Sequence, residues 1–258
     1  MSLQSMEMQF SDAVKGAVKT VACLRSRDHQ DHEKIGTLLD IIDAKECNLN
    51  EPQIATKNKP FLIYLTQYFE DACAPLIAKA VQSGADANLV WGKECPLKMA
   101  IEKLKPHMVY ALLKYGADAN RLFNGHDRLF KREEDVSPLT CAMRVHIKWS
   151  KDAEKLQAKL KILRYLLYFG ANPNSTVCWG RKTNWWNVCY CNTMGKDEMI
   201  NILVSHGAND DLVRGDCVNE AKKIYVSTIL RNATSRMELS GQLPPEMIEK
   251  ITRYIISA

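Results

Sequence analysis

The chain has 258 residues, 46% hydrophobic and 25% charged, ordinary proportions for a chain that buries a sizeable core. It holds no run of about 18 apolar residues, which excludes an expected membrane span. The net charge is a modest +5, and nine cysteines follow no framework spacing, so free thiols in a reducing, cytoplasmic setting are expected.

Residues 1–9 read as disordered, and Glu7 and Asp12 with no apolar run between them argue against a secretory leader. Residues 10–26 read as an amphipathic helix, with Phe10, Val14, Val18 and Val21 on one side. A polar turn at Ser26–Gln30 follows, and Ile35, Leu38, Leu39 and Ile42 mark a second helical face. Pro60 opens an aromatic helix from Phe61 to Phe69, and Pro75 starts its partner. Cys95-Pro96 opens the next helix, Lys105-Pro106 breaks it, and Gly116 ends the one after, where a left-handed residue is required. A long finger from Arg121 to Val136 comes next. Pro138 then starts a helix predicted to run past Trp149, and a second helix spans Asp152 to Phe169. Thr183–Asp211 holds another pair, with Gly195-Lys196-Asp197 as its turn. Cys217 to Met237 reads as one long helix, broken by Ser240-Gly241.

A short tail of the form Gly-Ala-Asp/Asn-x-Asn, or a near copy, recurs at Gly84–Asn88, Gly116–Asn120, Gly170–Asn174 and Gly207–Asp211. Before each Gly, the positions three, four, seven and eight residues back are apolar in every copy, which is one face of a helix. Those residues are Leu76, Ile77, Ala80 and Val81; Met108, Val109, Leu112 and Leu113; Ile162, Leu163, Leu166 and Leu167; Met199, Ile200, Leu203 and Val204. Cys47-Asn48-Leu49-Asn50 stands where the same tail would end a degenerate first copy.

This pattern resembles the ankyrin repeat, whose period is roughly 33 residues and whose first helix opens on Thr-Pro-Leu-His-x-Ala. Part of that signature stands at Cys95-Pro96-Leu97-Lys98-Met99-Ala100 and Ser137-Pro138-Leu139-Thr140-Cys141-Ala142, without the His. It is weaker at Lys59-Pro60-Phe61-Leu62 and nearly gone at Thr183-Asn184-Trp185. The resemblance implies an all-α solenoid of about five helix-turn-helix repeats over residues 10–212, with atypical helical caps. Residues 213–258 form the C-terminal cap. It also implies binding of a partner protein along the concave face and fingers, with no catalysis and no cofactor.

Three fingers share an aromatic beside a Gly with a basic or ionisable residue after it: Trp91-Gly92-Lys93, Phe123-Asn124-Gly125-His126 and Trp179-Gly180-Arg181. Aromatic and Arg side chains often anchor interfaces, so Trp91, Lys93, Phe123, His126, Trp179 and Arg181 are the candidate contacts. The competing reading makes each Gly a hairpin residue and each aromatic a finger-packing group. Trp185 and Trp186 fall in a first helix, at least one of them in the core.

From Arg144 to Arg164 seven Lys/Arg face two Asp/Glu, a balance of +5. Lys151, Lys155 and Lys159 lie one turn apart, opposite Leu156, Leu160, Leu163 and Leu167, and read as a solvated face or a surface for an acidic partner, anionic lipid or RNA. Nucleic acid would demand a broader, Arg-richer surface, and is not expected.

The segment Leu243-Pro244-Pro245-Glu246-Met247-Ile248-x-x-Ile251-x-x-Tyr254-Ile255 resembles the opening of an F-box. It is closer still to the truncated F-box-like tail of many poxviral ankyrin proteins, and bacterial effectors carry F-boxes too. That resemblance implies docking of a Skp-type ubiquitin-ligase adaptor by Leu243, Pro244, Met247, Ile248 and Ile251, within a host cytosol. The alternative is a helix that caps the last repeat. Cys178, Cys189, Cys191 and His206 fit no usual zinc spacing, so neither a metal site nor a cysteine enzyme is expected.

Overall fold

The computed structural model describes residues 48–52, 54–127, 132–145, 147, 152–177, 182–183 and 195–208. The predicted helices at 10–26, 35–42 and 217–237 lie outside these residues, as do Trp185 and Trp186. Among the described residues, seven α-helices dominate and the strands are short. They are α1 (Phe61–Tyr68), α2 (Ala74–Gln82), α3 (Pro96–Glu102), α4 (Pro106–Lys114), α5 (Pro138–Arg144), α6 (Ala153–Tyr168) and α7 (Lys196–Ser205). Strands β1 (Phe123–Asp127) and β2 (Arg132–Val136) form an antiparallel hairpin, and β3 (Thr176–Val177) pairs with β4 (Lys182–Thr183). No described helix is long and apolar enough to cross a membrane.

The helices form two parallel rows. First helices pack in the order α1, α3, α5, and second helices in the order α2, α4, α6, α7. Within each unit α1 meets α2, α3 meets α4 and α5 meets α6. The apolar face read from the spacing is the core of this arrangement. Of its sixteen positions only Val81 and Val204 are partly buried; the rest are buried, eleven of them including Ile77, Leu112 and Leu166 at 0% exposure or nearly so.

The recurring tail is explained residue by residue. Gly116 takes φ 98°, a left-handed conformation that a side chain strains, and so reverses the chain at the end of α4. The next residue, Ala117, sends its N–H back to the Leu112 carbonyl at 2.9 Å, which satisfies a helix-end acceptor. Ala85, Ala171 and Ala208 make the same bond to Ala80, Leu166 and Leu203. Each of these Ala side chains is buried, so a larger residue would not fit there. Asp118 then accepts the Asn120 N–H at 2.8 Å through its own side chain, closing a local turn.

Asparagine ends the motif because it bridges to the next unit with both ends of its amide. Asn88 donates Nδ2 to the Gly116 carbonyl and accepts the Asp118 N–H through Oδ1, each at 2.8 Å. Asn120 does the same to Gly170 (2.9 Å) and Asn172 (2.8 Å). Asn174 reaches the Gly207 carbonyl at 3.1 Å. The row begins upstream, where Asn50 bonds Gly84 (2.9 Å) and Asp86 (2.7 Å). Leu49 is buried at 3% exposure, so the predicted degenerate copy ends as the later ones do.

Two lysines are buried for a structural reason. The Lys105 ammonium donates to the Thr66 carbonyl (2.8 Å) and the Phe69 carbonyl (2.5 Å), the C-terminal end of α1 in the preceding unit. The Lys159 ammonium, fully buried, donates to the carbonyls of Met143 (2.7 Å) and Val145 (3.0 Å), the end of α5. A cation suits a helix C-terminus, where carbonyls lack partners. Burial also lowers the Lys105 pKa from its ordinary 10.5.

These contacts correct two expectations. The helix opened by Pro138 does not run past Trp149: it ends at Arg144, and Val145 is extended with its carbonyl turned to Lys159. Lys159 is also no part of a solvated basic face, because the α5 carbonyls draw it inward. Lys155 remains exposed and pairs with Asp152 at 3.0 Å.

The two kinds of inter-unit contact differ in worth. Leu166→Ala removes a fully buried side chain and should cost about 2–5 kcal/mol. Asn120→Ala removes two hydrogen bonds whose partners water can reach, and should cost about 1–2 kcal/mol. Urea unfolding of both variants checks the order; an equal or reversed ranking contradicts it.

Candidate functional site

Between one unit and the next the chain leaves the helices as a finger. In the first, Lys57 (φ 54°) and Asn58 (φ 56°) make a tight turn that Lys59 closes by donating its N–H to the Thr56 carbonyl at 3.1 Å. The second finger is a two-residue hairpin: Trp91 and Glu94 exchange backbone hydrogen bonds of 2.9 and 3.0 Å around Gly92-Lys93. Gly92 has φ 61°, which a side chain would strain. The third finger is the β1–β2 hairpin and the fourth the β3–β4 pair.

The fingers are tied in order. The Lys59 ammonium meets the Glu94 carboxylate at 2.6 Å, joining the first to the second. Arg121 donates Nη1 to the Asn88 carbonyl at 2.5 Å, joining the stem of the third to that of the second. Ser137 and Ser175 share a hydrogen bond of 3.2 Å between the third and fourth, and β2 touches β3. Ser137 also caps α5, accepting the Thr140 N–H at 3.2 Å.

The predicted contact residues divide on this frame. Trp91 is 43% exposed on the second finger, and Lys93 beside it is exposed. Phe123, expected on the same surface, is 4% exposed. It stands in register with the buried Val136 at the base of the hairpin and belongs to the core. Gly125 stands opposite Glu134 within the strand, so it is not the hairpin's turn residue. His126 stands opposite Glu133. Trp179, Arg181, Leu243, Pro244, Met247, Ile248 and Ile251 lie outside the described residues.

Sequence spacing missed three surface residues that share this region. Val90 (47% exposed), Leu122 (57% exposed) and Arg121 lie on the stems that lead out of the asparagine row. The available signal was positional: Val90 follows Asn88 by two residues, as Leu122 follows Asn120. Beside the first finger, the Lys57 ammonium lies 4.3 Å from the centre of the half-exposed Tyr68 ring.

Cys73, Cys95 and Cys141 are buried cysteines. Burial pushes the Cys95 thiol above its ordinary 9.0 and Cys141 up to about 12. These groups stay protonated near neutrality, whereas a reactive cysteine has a lowered pKa. Cys178, Cys189 and Cys191 lie outside the described residues, and His206 turns Nδ1 to the Ile202 carbonyl at 2.8 Å.

No protein-family model matches the chain.

The Cys141 shift has a sign. A thiol held at about 12 when folded and 9.0 when unfolded adds stability below pH 9.0 and loses it as pH climbs toward 12. Cys141→Ala should therefore flatten the alkaline fall in urea midpoint relative to wild type over that window. Parallel curves would show that Cys141 ionises alike in both states.

Proposed function

We propose that this chain is an ankyrin-type array that recognises a partner protein through its fingers and the adjoining first helices, and that it acts by binding rather than by catalysis. The observation that carries the reading is the ordered row of fingers. Among the described residues three units repeat the same helix pair and the asparagine bridge recurs between loops, yet the fingers differ in length and side chains. A constant frame with variable loops places recognition in the loops. Trp91 supports it further: a large aromatic held half open on a tied two-residue turn is the kind of side chain that anchors an interface. Thr140 stands where the family signature has its His, and its hydroxyl meets Ser137 at 2.9 Å, a local hydrogen bond at the helix start.

Trp91→Ala tests this reading. The variant should keep the wild-type melting temperature and lose most of the binding to proteins captured from eukaryotic lysate. Retained capture with a lowered melting temperature would make Trp91 a packing residue and remove the finger surface as the site.

A second role rests on the sequence of the tail. Leu243-Pro244 followed by Met247, Ile248 and Ile251 at helical spacing favours a docking edge for a Skp-type adaptor, which would make the array a substrate receptor for a ubiquitin ligase. Binding of the purified adaptor by the full chain, abolished by Leu243→Ala with Pro244→Ala, is the expected outcome. A tail that only caps the array predicts no adaptor binding and a loss of stability when residues 240–258 are deleted.

A further inference from the structure

Among the described residues the exposed large hydrophobics are Ile54, Tyr68, Val90, Trp91, Leu122 and Tyr168. Four of them lie on three consecutive finger stems. The pattern is positional. Two residues beyond each bridging asparagine the chain presents an exposed apolar residue: Pro52 after Asn50, Val90 after Asn88 and Leu122 after Asn120. The fourth stem has Thr176 at that place, so the apolar run covers three units. The bridges hold these stems in register. Asn50 bonds to Gly84 and Asp86, Asn88 bonds to Gly116 and Asp118, and Arg121 reaches back to the Asn88 carbonyl. Pro52, Val90 and Leu122 thus form a row at the pitch of the units, with Ile54 and Trp91 just beyond its first two members in the chain.

Charge does not choose the occupant of this row. Lys93 and Arg121 are exposed near it, and so are Asp86 and Asp118, while Asp127, Glu133, Glu134 and Asp135 belong to the hairpin beyond Leu122. What the surface supplies is hydrogen-bond donors. Trp91 is 43% exposed and its indole N–H can only donate. The Arg121 guanidinium has five N–H groups, of which Nη1 provides the bond to the Asn88 carbonyl. The second finger offers no strand edge at Trp91, because its backbone is already paired with Glu94.

We propose that this row takes an extended segment of the partner protein in the polyproline-II conformation, apolar at every third residue, with backbone carbonyls toward Trp91 and Arg121. The inference rests on the partner-binding reading above and names the conformation and chemistry of the bound segment. Equivalent points on neighbouring units are separated by the distance between packed helices, about 8–10 Å. A polyproline-II chain rises about 3.1 Å per residue with three residues per turn, so positions three apart share a side and lie about 9 Å apart. Its carbonyls have no internal partner, which is where the two donors act. A β-strand sends residues three apart to opposite faces. An α-helix covers the same distance in about seven residues, but its apolar face has further members halfway along. Halfway between Val90 and Leu122 the stems are joined by the polar contact of Arg121 with the Asn88 carbonyl, which gives such members nothing apolar to meet.

Fluorescein-labelled peptides titrated against the full chain by anisotropy test this. One repeats Leu-Pro-Gln three times, one is a scramble of it with the leucines adjacent, and one is an amphipathic helix with leucines on one face. The triplet peptide should bind best, and its affinity should hold as salt rises. Val90→Ser, and separately Leu122→Ser, should weaken it by roughly tenfold with the melting temperature unchanged, since both side chains are exposed. Trp91→Phe, which keeps a ring and removes the N–H, should weaken it by a smaller factor. Tyr168→Ser, an exposed aromatic away from the row, should change nothing. No binding of the triplet peptide at millimolar concentration, equal or tighter binding of the scramble or the helix, or indifference to both serine variants would overturn the proposal. If those results came while Trp91→Ala still abolished partner capture, the finger surface would stand and only the polyproline-II form of its ligand would fall.

Discussion

The alignment of one loop on the next depends on one amide spanning two units. Asn50, Asn88 and Asn120 each give an N–H to a carbonyl of the next loop and take an N–H from the same loop. Only a side chain with donor and acceptor on one planar group, at short reach, can do both. Aspartate would lose the donor, and glutamine would bring an extra methylene. Because the bonded carbonyl belongs to the helix-ending glycine, the bridge fixes the turn as well as the spacing. The fingers leave from the residues just beyond it, so their alignment is a consequence of this contact.

The bridge acts beside the apolar rows and does not replace them. The second helices interlock through Ile77, Leu112, Leu166 and their neighbours, which supply most of the burial. Such packing is non-directional and would tolerate some sliding. Hydrogen bonds at the loop end resist sliding, because a displaced amide loses both partners. Aspartate performs a related service inside the array: Asp71 accepts the N–H groups of His107 (3.1 Å) and Met108 (2.9 Å) and so caps α4 from the preceding unit.

What could be read from sequence was what recurs. The positions of Leu76, Met108, Ile162 and Met199 before their glycines gave the buried face, since a helix repeats its geometry faithfully. The asparagines were visible as letters, but their role needs the neighbouring loop, which lies 28 to 52 residues away along the chain. Lys159 deceived because its spacing matches Lys151 and Lys155, and periodicity carries no information about an acceptor on another helix. Phe123 was misplaced for a similar reason. Its likeness to Trp91 in local sequence conceals a different setting: a five-pair strand ladder buries Phe123, while a two-residue turn leaves Trp91 open.

The ammonium of Lys159 has a bearing on how this chain can lengthen. By holding the carbonyls of Met143 and Val145, it fixes where the chain departs from α5, and the start of α6 at Ala153 fixes where it returns. Closing a longer loop between fixed ends costs little, about 0.6 kcal/mol for each doubling of its length. A reporter or a whole small domain could be grafted between these two fixed points at modest thermodynamic cost.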